Sequence, residues 1–94
     1  MKMEKHIEQE FLEYIIKTLA SDKEKVAIER TVDELGVLLT LNVAPEDLPR
    51  VIGKGGQTAK AIRLLLRVLG YIQKIRVNLK INIPEEVQIK KEHK

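Results

Sequence analysis

Hydrophobic residues near the amino terminus recur at steps of three and four, which is the spacing of one face of an α-helix. The stripe contains Ile7, Phe11, Tyr14, Ile15 and Leu19, and it is widened by Leu12 and Ile16. The other side of the predicted helix carries Glu8, Glu10, Glu13 and Lys17. Turn-favouring residues at 21–23 end the pattern, so the chain is predicted to begin with an amphipathic helix.

Alternation of hydrophobic and polar residues predicts three β-strands further along the chain. The first two, at residues 26–32 and 37–43, flank a short turn and are expected to form an antiparallel hairpin. The third alternates without exception over residues 75–83 and ends at Pro84. Because proline cannot donate to a sheet hydrogen bond, Pro84 is a natural end for this strand.

The segment between the second and third strands is predicted to be helical. A short helix after Pro45 and Pro49 leads into the glycine-rich residues 53–56, and a longer helix covers residues 57–69. Gly70 is expected to close that helix in a left-handed conformation.

The predicted order of elements, α-β-β-α-α-β, indicates an α+β fold. Two helices separate the last two strands, so these strands are expected to be parallel and joined by a right-handed crossover. The result is a three-stranded mixed sheet with the helices packed on one face. Ninety-four residues fit one domain, predicted at residues 1–84, and the charged residues 85–94 are predicted to be a frayed tail.

The amino-acid composition and the position of the charged residues argue against several functional classes. Without cysteine there is no disulfide, thiol nucleophile or cysteine-based metal site. His6 and His93 lie near the two ends, and acids avoid the glycine region, so we expect no enzyme, metal, cofactor or small-molecule substrate. No apolar stretch reaches the roughly 20 residues of a membrane span, and residues 1–13 carry many charges. A cytoplasmic protein without membrane contact is predicted.

Charge divides the chain into two unlike halves. Residues 1–47 contain six Lys/Arg and eleven Asp/Glu, a net charge of −5, whereas residues 48–94 contain eleven and three, a net charge of +8. The stretch between Leu48 and Pro84 has no acid and these bases: Arg50, Lys54, Lys60, Arg63, Arg67, Lys74, Arg76 and Lys80. A one-sided basic block favours a polyanionic partner over a merely solubilising surface.

Residues 53–56, with the sequence GKGG, are the candidate phosphate-binding element. A P-loop would need glycine where Leu48 stands and Ser or Thr where Gly55 stands, so that motif is excluded. A dinucleotide fingerprint would need a preceding strand, a small residue in place of Thr58 and an acid about 20 residues later, and it is excluded too. What remains is a glycine loop between two helices, where an anion can approach the backbone and the amides that begin the second helix.

The stretch VIGKGGQTAKAIR at residues 51–63 resembles the signature of the KH domain, and the predicted element order resembles its type II form. Together with FLEYIIK at residues 11–17, it is similar to the small bacterial stand-alone KH proteins of the KhpA family. KH domains use a GxxG loop to clamp about four nucleotides of single-stranded nucleic acid. The resemblance implies single-stranded RNA as ligand and a role as RNA chaperone or post-transcriptional regulator. It also implies a KhpB-like RNA-binding partner and a link to cell-envelope and cell-length control.

The resemblance and the charge pattern together assign the RNA-binding residues. They are Arg50, Val51, Ile52, Gly53, Lys54, Gly55, Gly56, Gln57, Thr58, Lys60 and Arg63. On a helical wheel Lys60, Arg63 and Arg67 share one narrow arc, although Arg67 is also compatible with a solvated face. Because Phe11 and Tyr14 fall on the predicted core stripe, exposed aromatic platforms are not expected. The bases should rest on Val51, Ile52 and Ile62 instead.

The predicted second long helix is apolar over more than the half-turn that a sheet can bury. Ala59, Ile62, Leu65, Leu66 and Leu69 form its predicted core face. Ala61, Leu64 and Val68 extend beyond that face, and either a second protomer, a partner protein or the first helix is expected to cover them. An alternative function follows, in which the chain is a protein-interaction or dimerisation scaffold on a KH fold with little RNA binding.

Overall fold

Three helices cover one face of a three-stranded sheet in the computed structural model, which describes residues 6–83. The helices and strands are α1 Ile7–Leu19, β1 Ala27–Asp33, β2 Gly36–Asn42, α2 Leu48–Ile52, α3 Gln57–Gln73 and β3 Val77–Ile81. Short 3-10 turns occupy Lys23–Lys25, Pro45–Asp47 and Lys54–Gly56. The predicted tail at residues 85–94 lies outside the described residues. Within 6–83, none of the helices combines the length and apolar character needed to cross a membrane.

The sheet has the order β1-β2-β3 and confirms the predicted mixed topology. β1 and β2 are antiparallel, with Asp33 opposite Gly36 at the turn. The Leu35 N–H donates to the Asp33 carboxylate across 2.8 Å, which stabilises this tight connection. β2 and β3 are parallel, with Val37 opposite Val77. The α+β fold class and the type II KH element order are therefore those of the structure.

The core lies between the sheet and the helices. Its buried hydrophobic cluster contains Leu12, Ile16, Val37, Leu39, Leu41, Val51, Ile62, Leu66, Val77 and Leu79. In β2 and β3 the buried residues alternate with more exposed ones, as the pleat of a sheet with one covered face requires. Lys80 and Asn78 consequently do not point into the core and are exposed.

The buried face of α1 is rotated from the one that the hydrophobic stripe predicts. Leu12 and Ile16 are completely buried, whereas Ile7 and Tyr14 are exposed. Glu8, predicted to face solvent, is buried and accepts a 2.7 Å hydrogen bond from Arg30 Nε. Arg30 comes from the helix-facing side of β1, so a charge pair occupies a position that hydrophobicity alone assigns to an apolar residue.

The end of α3 also differs from the prediction. The helix continues through Gly70 to Gln73, and Lys74 takes the left-handed conformation with φ 65°. Gly70 is needed for space: a Cβ would stand 2.6 Å from the Ile75 carbonyl oxygen and 2.9 Å from Val77 Cγ2. Leu65, placed in the predicted core, is 47% exposed because the buried stripe of α3 is narrow. β3 starts at Val77, two residues later than the alternation predicts.

A buried carboxylate connects the loop after α1 to the start of α2. Asp47 accepts hydrogen bonds from the backbone N–H groups of Ser21 and Asp22, each at 3.0 Å, and from Ser21 Oγ at 2.8 Å. These donors, led by the Ser21 N–H, lower the pKa of Asp47 from its ordinary value of 3.8. Because Asp47 directly precedes α2, this contact fixes where the glycine-bearing helix pair begins.

Asp47→Asn is expected to lower the thermal midpoint of unfolding at neutral pH, because a neutral amide accepts these three hydrogen bonds less strongly. The folded-state pKa is depressed, so the carboxylate stabilises the fold above pH 3.8 and this contribution is lost as the pH falls below that value. The gap in Tm between wild type and variant should therefore stay constant above about pH 4 and narrow below it. Circular dichroism melts of both proteins over a pH series measure this difference in Tm.

Glu46→Gln is the matched control, because Glu46 is the exposed neighbour of Asp47 in the same turn. It should leave the melting temperature nearly unchanged at every pH. An equal loss of stability in both variants, or a gap that does not depend on pH, would show that the Asp47 contact does not stabilise the fold as described.

Candidate nucleic-acid interface

The helices α2 and α3 are joined by the glycine loop at residues 53–56. We call this loop, with the end of α2 and the start of α3, the apex of the domain. α2 is anchored by Leu48 and Val51, which are 2% and 0% exposed. Its last turn closes with a 2.8 Å hydrogen bond from the Gly53 N–H to the Pro49 carbonyl. The loop is thus held at its base by core packing, while Lys54 and Gly55 at its tip are exposed.

The three glycines of the loop all have positive φ, but for two different physical reasons. At Gly53, with φ 80°, a Cβ would collide with the Thr58 side chain, so this glycine allows α2 and α3 to pack closely. Gly55 and Gly56 have φ 63° and 77°, and nothing lies within 4 Å of a Cβ placed on either. Their backbone is therefore open to a ligand from outside.

The start of α3 lies beside this open backbone and has no side-chain cap, although the Gln57 N–H donates to the Lys54 carbonyl within the loop. Its N-cap is Gly56, which has no side chain with which to accept a hydrogen bond from the first amides. Such amides, together with the helix dipole, attract anions. Lys54 is exposed at the loop tip and Lys60 one turn into the helix, and within residues 6–83 neither forms an ion pair. The apex can thus bind a phosphate.

The basic arc of α3 runs along the outer edge of β3. Arg63 Nε donates to the Leu79 carbonyl oxygen across 3.4 Å, which places this side chain over the edge strand. Arg76 and Asn82 bond to β2 through their backbones, so the alternate residues of β3 direct their N–H and C=O groups outward. A groove with helix cations on one side and strand-edge polar groups on the other leads away from the loop.

Some of the sequence-assigned RNA contacts have other roles in the structure. Val51 and Ile62 are 0% and 3% exposed, so their side chains belong to the core and cannot support bases. Ile52, half-buried beside the loop, is the apolar residue available for that contact. The Arg50 guanidinium donates to the Leu19 carbonyl at 3.0 Å, so it lies at the carboxyl end of α1.

The structure brings together the remaining assigned residues at the apex. These are Ile52, Gly53, Lys54, Gly55, Gly56, Gln57, Thr58 and Lys60, with Arg63 further along the groove. The Thr58 side chain lies against Gly53 and supports the loop. Electrostatically the apex differs from the opposite side of the domain, since both ion pairs of the described residues, Lys17–Glu13 and Arg30–Glu8, involve α1.

The sequence predicted no exposed aromatic residue, and this prediction is wrong because two tyrosines are exposed. Tyr14 is 74% exposed on α1 and Tyr71 is 84% exposed on α3. Because α3 continues past the predicted end at Gly70, Tyr71 lies one turn beyond Arg67 on the basic arc, and the prediction missed it by ending the helix too early.

The outer face of α3 is apolar and uncovered. Leu64 and Val68 are 53% and 48% exposed, and Ala61 is exposed as well. α1 packs against α3 but does not cover these side chains, so the interpretation that α1 buries them is wrong. Leu65 and Ile72 enlarge the same face, which we call the α3 apolar face.

No group of His, Cys, Asp or Glu within residues 6–83 is arranged to hold a metal ion.

Comparison with known proteins adds an independent finding to this geometry. The family model of the KhpA/KhpB KH domain matches residues 9–81, which include all six helices and strands except the first two residues of α1. Among curated proteins, the RNA-binding protein KhpA of Chlamydia pneumoniae is 41% identical over 73 residues, covering 78% of this chain and 94% of the relative. None of the solved structures compared with this chain matches it.

Two further relatives have the same description and similar coverage. The RNA-binding protein KhpA of Clostridium acetobutylicum is 37% identical over 73 residues, 78% of this chain and 97% of the relative. That of Leifsonia xyli is 35% identical over 68 residues, 72% and 90% of the two chains. The family is not known for catalysis, in agreement with an apex that offers amides and lysines but no acid–base pair. The chain has the type II KH element order and a GKGG loop between its second and third helices. Together with this degree of similarity, these features show that it belongs to the KhpA/KhpB KH-domain family.

Proposed function

We propose that this protein binds single-stranded RNA, and that the GKGG loop at Gly53–Gly56 holds the phosphate backbone. The observation that carries the proposal is the open backbone of Gly55 and Gly56, where nothing lies within 4 Å of a Cβ position. Lys54 and the amino end of α3, whose helix dipole is positive, lie beside that opening and supply positive charge. The relatives described as RNA-binding proteins support RNA as the polyanion.

Each residue of the apex has a proposed part in binding. Lys54 and Lys60 neutralise phosphates, and the positive end of the α3 dipole stabilises their negative charge. Ile52 gives an apolar surface for a base beside the loop. The groove between α3 and the edge of β3 then receives about four nucleotides, which a paired strand could not present in this extended form.

The proposed cellular role is that of an RNA chaperone or post-transcriptional regulator acting in the cytoplasm. A small domain that clamps about four nucleotides contacts RNA briefly and with little sequence specificity, and that property suits remodelling of RNA more than stable complex formation. Resemblance to the KhpA family supports the further proposal that this activity serves cell-envelope growth and cell-length control.

Changing Lys54→Asp together with Gly55→Asp should reduce the affinity for single-stranded RNA by about 100-fold or more. The two substitutions make the charge of the loop more negative by three units. Each unit of charge next to a phosphate changes the binding free energy by about 1 kcal/mol in water. The fold should survive, because a Cβ at Gly55 meets open space and aspartate tolerates a left-handed backbone. Fluorescence anisotropy with a labelled oligonucleotide measures affinity, and circular dichroism melts confirm folding.

The matched control is Lys54→Asn with Gly55→Asn, which has the same shape and backbone demands without negative charge. It should lose far less affinity than the aspartate pair. RNA binding at wild-type strength by the aspartate pair would rule out the loop as the phosphate site. RNA binding that neither pair alters would mean that the chain binds RNA through another surface.

We propose a second function for the α3 apolar face: association with a second copy of the chain through two-fold symmetry, or with a KhpB-like RNA-binding protein. The supporting observation is the exposure of Leu64, Leu65, Val68 and Ile72 along one side of a single helix. Contiguous apolar surface of this kind is typical of interaction sites. When two linked domains bind one RNA, their overall affinity increases by a factor of about 10²–10⁴. This increase offsets the weak binding by a single loop.

Leu64→Glu should raise the dissociation constant of the homodimer by at least about tenfold. It removes a leucine worth roughly 1.5–3 kcal/mol when fully buried and places a charge in the interface. The monomer should remain folded, because Leu64 is already half exposed within one chain. Light scattering over a concentration series gives the oligomeric state, and circular dichroism reports folding.

Thr18→Glu provides the control, since Thr18 is exposed on α1 rather than on the α3 apolar face, and it should leave the oligomeric state unchanged. A wild-type protein that stays monomeric at high concentration would contradict self-association and leave the KhpB-like partner as the occupant to test. Unfolding of Leu64→Glu would instead assign this side chain to the core.

A further inference from the structure

The groove between α3 and β3 ends in a cavity that the proposed contacts do not use. This cavity of about 450 Å³ is lined by Arg67, Tyr71, Ile75, Arg76, Val77 and Asn78. It lies at the carboxyl end of α3, whereas the GKGG loop lies at the amino end of the same helix. The two sites are therefore at opposite ends of α3, on the side of this helix that faces the edge of β3.

Helical geometry aligns this cavity with the basic arc. Lys60, Arg67 and Tyr71 fall within a narrow sector of the α3 wheel, with Tyr71 four residues after Arg67. Fifteen residues separate Gly56 from Tyr71, which corresponds to roughly 22 Å along the helix at 1.5 Å per residue. Arg63 lies between the two sites and bonds to Leu79 on β3. A strand of RNA that leaves the loop along this arc thus meets cations first and Tyr71 last.

The chemistry of the cavity suits an unpaired nucleotide. Tyr71 is 84% exposed, and within residues 6–83 its hydroxyl makes no hydrogen bond, so packing in one chain does not account for it. Ile75 and Val77 provide apolar surface beside the ring, while Arg67 and Arg76 provide positive charge. A base can stack on an aromatic ring while guanidinium groups neutralise its phosphates. No acid lines the cavity to oppose them.

We propose that Tyr71 is the stacking platform of a second nucleotide subsite, which takes an unpaired base beyond the roughly four held near the loop. The inference rests on the proposed function, because it assumes that RNA occupies the groove. It deepens that function by making binding depend on the length of the strand. The subsite has no sequence preference of its own, since every base has a face that can stack.

Tyr71→Ala tests the subsite when affinities for oligonucleotides of about four and about ten nucleotides are compared. The variant should lose at least about fivefold in affinity for the longer strand and nothing for the shorter one. Tyr71→Phe keeps the ring and should bind both strands as the wild type does. Tyr14→Ala is the matched control, because Tyr14 is 74% exposed on α1, away from the groove. It should change neither affinity.

Tyrosine fluorescence gives a second readout without altering Tyr71. The chain has two tyrosines and no tryptophan, so in Tyr14→Phe all tyrosine emission comes from Tyr71. The longer strand should quench this emission by stacking, and the shorter strand should not. The same measurement decides the case if Tyr71→Ala proves unstable or alters the oligomeric state.

Several results would overturn the subsite: no quenching by the longer strand, no loss of affinity in Tyr71→Ala, or an equal loss for both lengths. If these occur while the Lys54→Asp and Gly55→Asp pair still abolishes binding, the subsite is wrong and the proposed function stands. If that pair has no effect on either strand, the proposed function itself fails.

Discussion

The attachment of α2 to the rest of the domain is the constraint on which the site depends. Leu48 and Val51 bury one side of this five-residue helix, and the Asp47 carboxylate ties its start to the loop after α1. A helix this short has no stability of its own and must be held by tertiary contacts. Because α2 is held in this way, the glycine loop can have three residues with positive φ and an exposed tip without losing its position.

Acidic and basic residues lie in different parts of the chain, and this separation places the loop in a positively charged region. Eleven of the fourteen acids precede Leu48, and two of them, Glu8 and Glu13 on α1, pair with Arg30 and Lys17. The bases concentrate on α3 and beside β3, with no acid between Leu48 and Pro84 to neutralise them. A polyanion is therefore drawn to one side of the molecule and repelled from the other, so its approach is oriented before any contact forms.

Sequence periodicity was sufficient for the element order and the mixed sheet, because alternation and three-four spacing report directly on which face is buried. It failed where a residue's role depends on a distant neighbour. Glu8 is buried where Arg30 pairs with it, and position 70 is a glycine because Ile75 and Val77 leave no room for a Cβ, not because it caps the helix. At the site, the GKGG loop was predicted, whereas the burial of Val51 and the exposure of Tyr71 depend on how α3 lies on the sheet.

The central claim is that RNA meets this protein at the loop and the start of α3. Titration of isotope-labelled protein with a short single-stranded RNA, followed by amide NMR shifts, tests it residue by residue. We expect the largest shifts at Gly53–Gly56, Gln57 and Lys60, while Glu29 and Thr31 on β1 remain unchanged. Shifts that concentrate on β1 or α1, with the glycine amides unmoved, would contradict it.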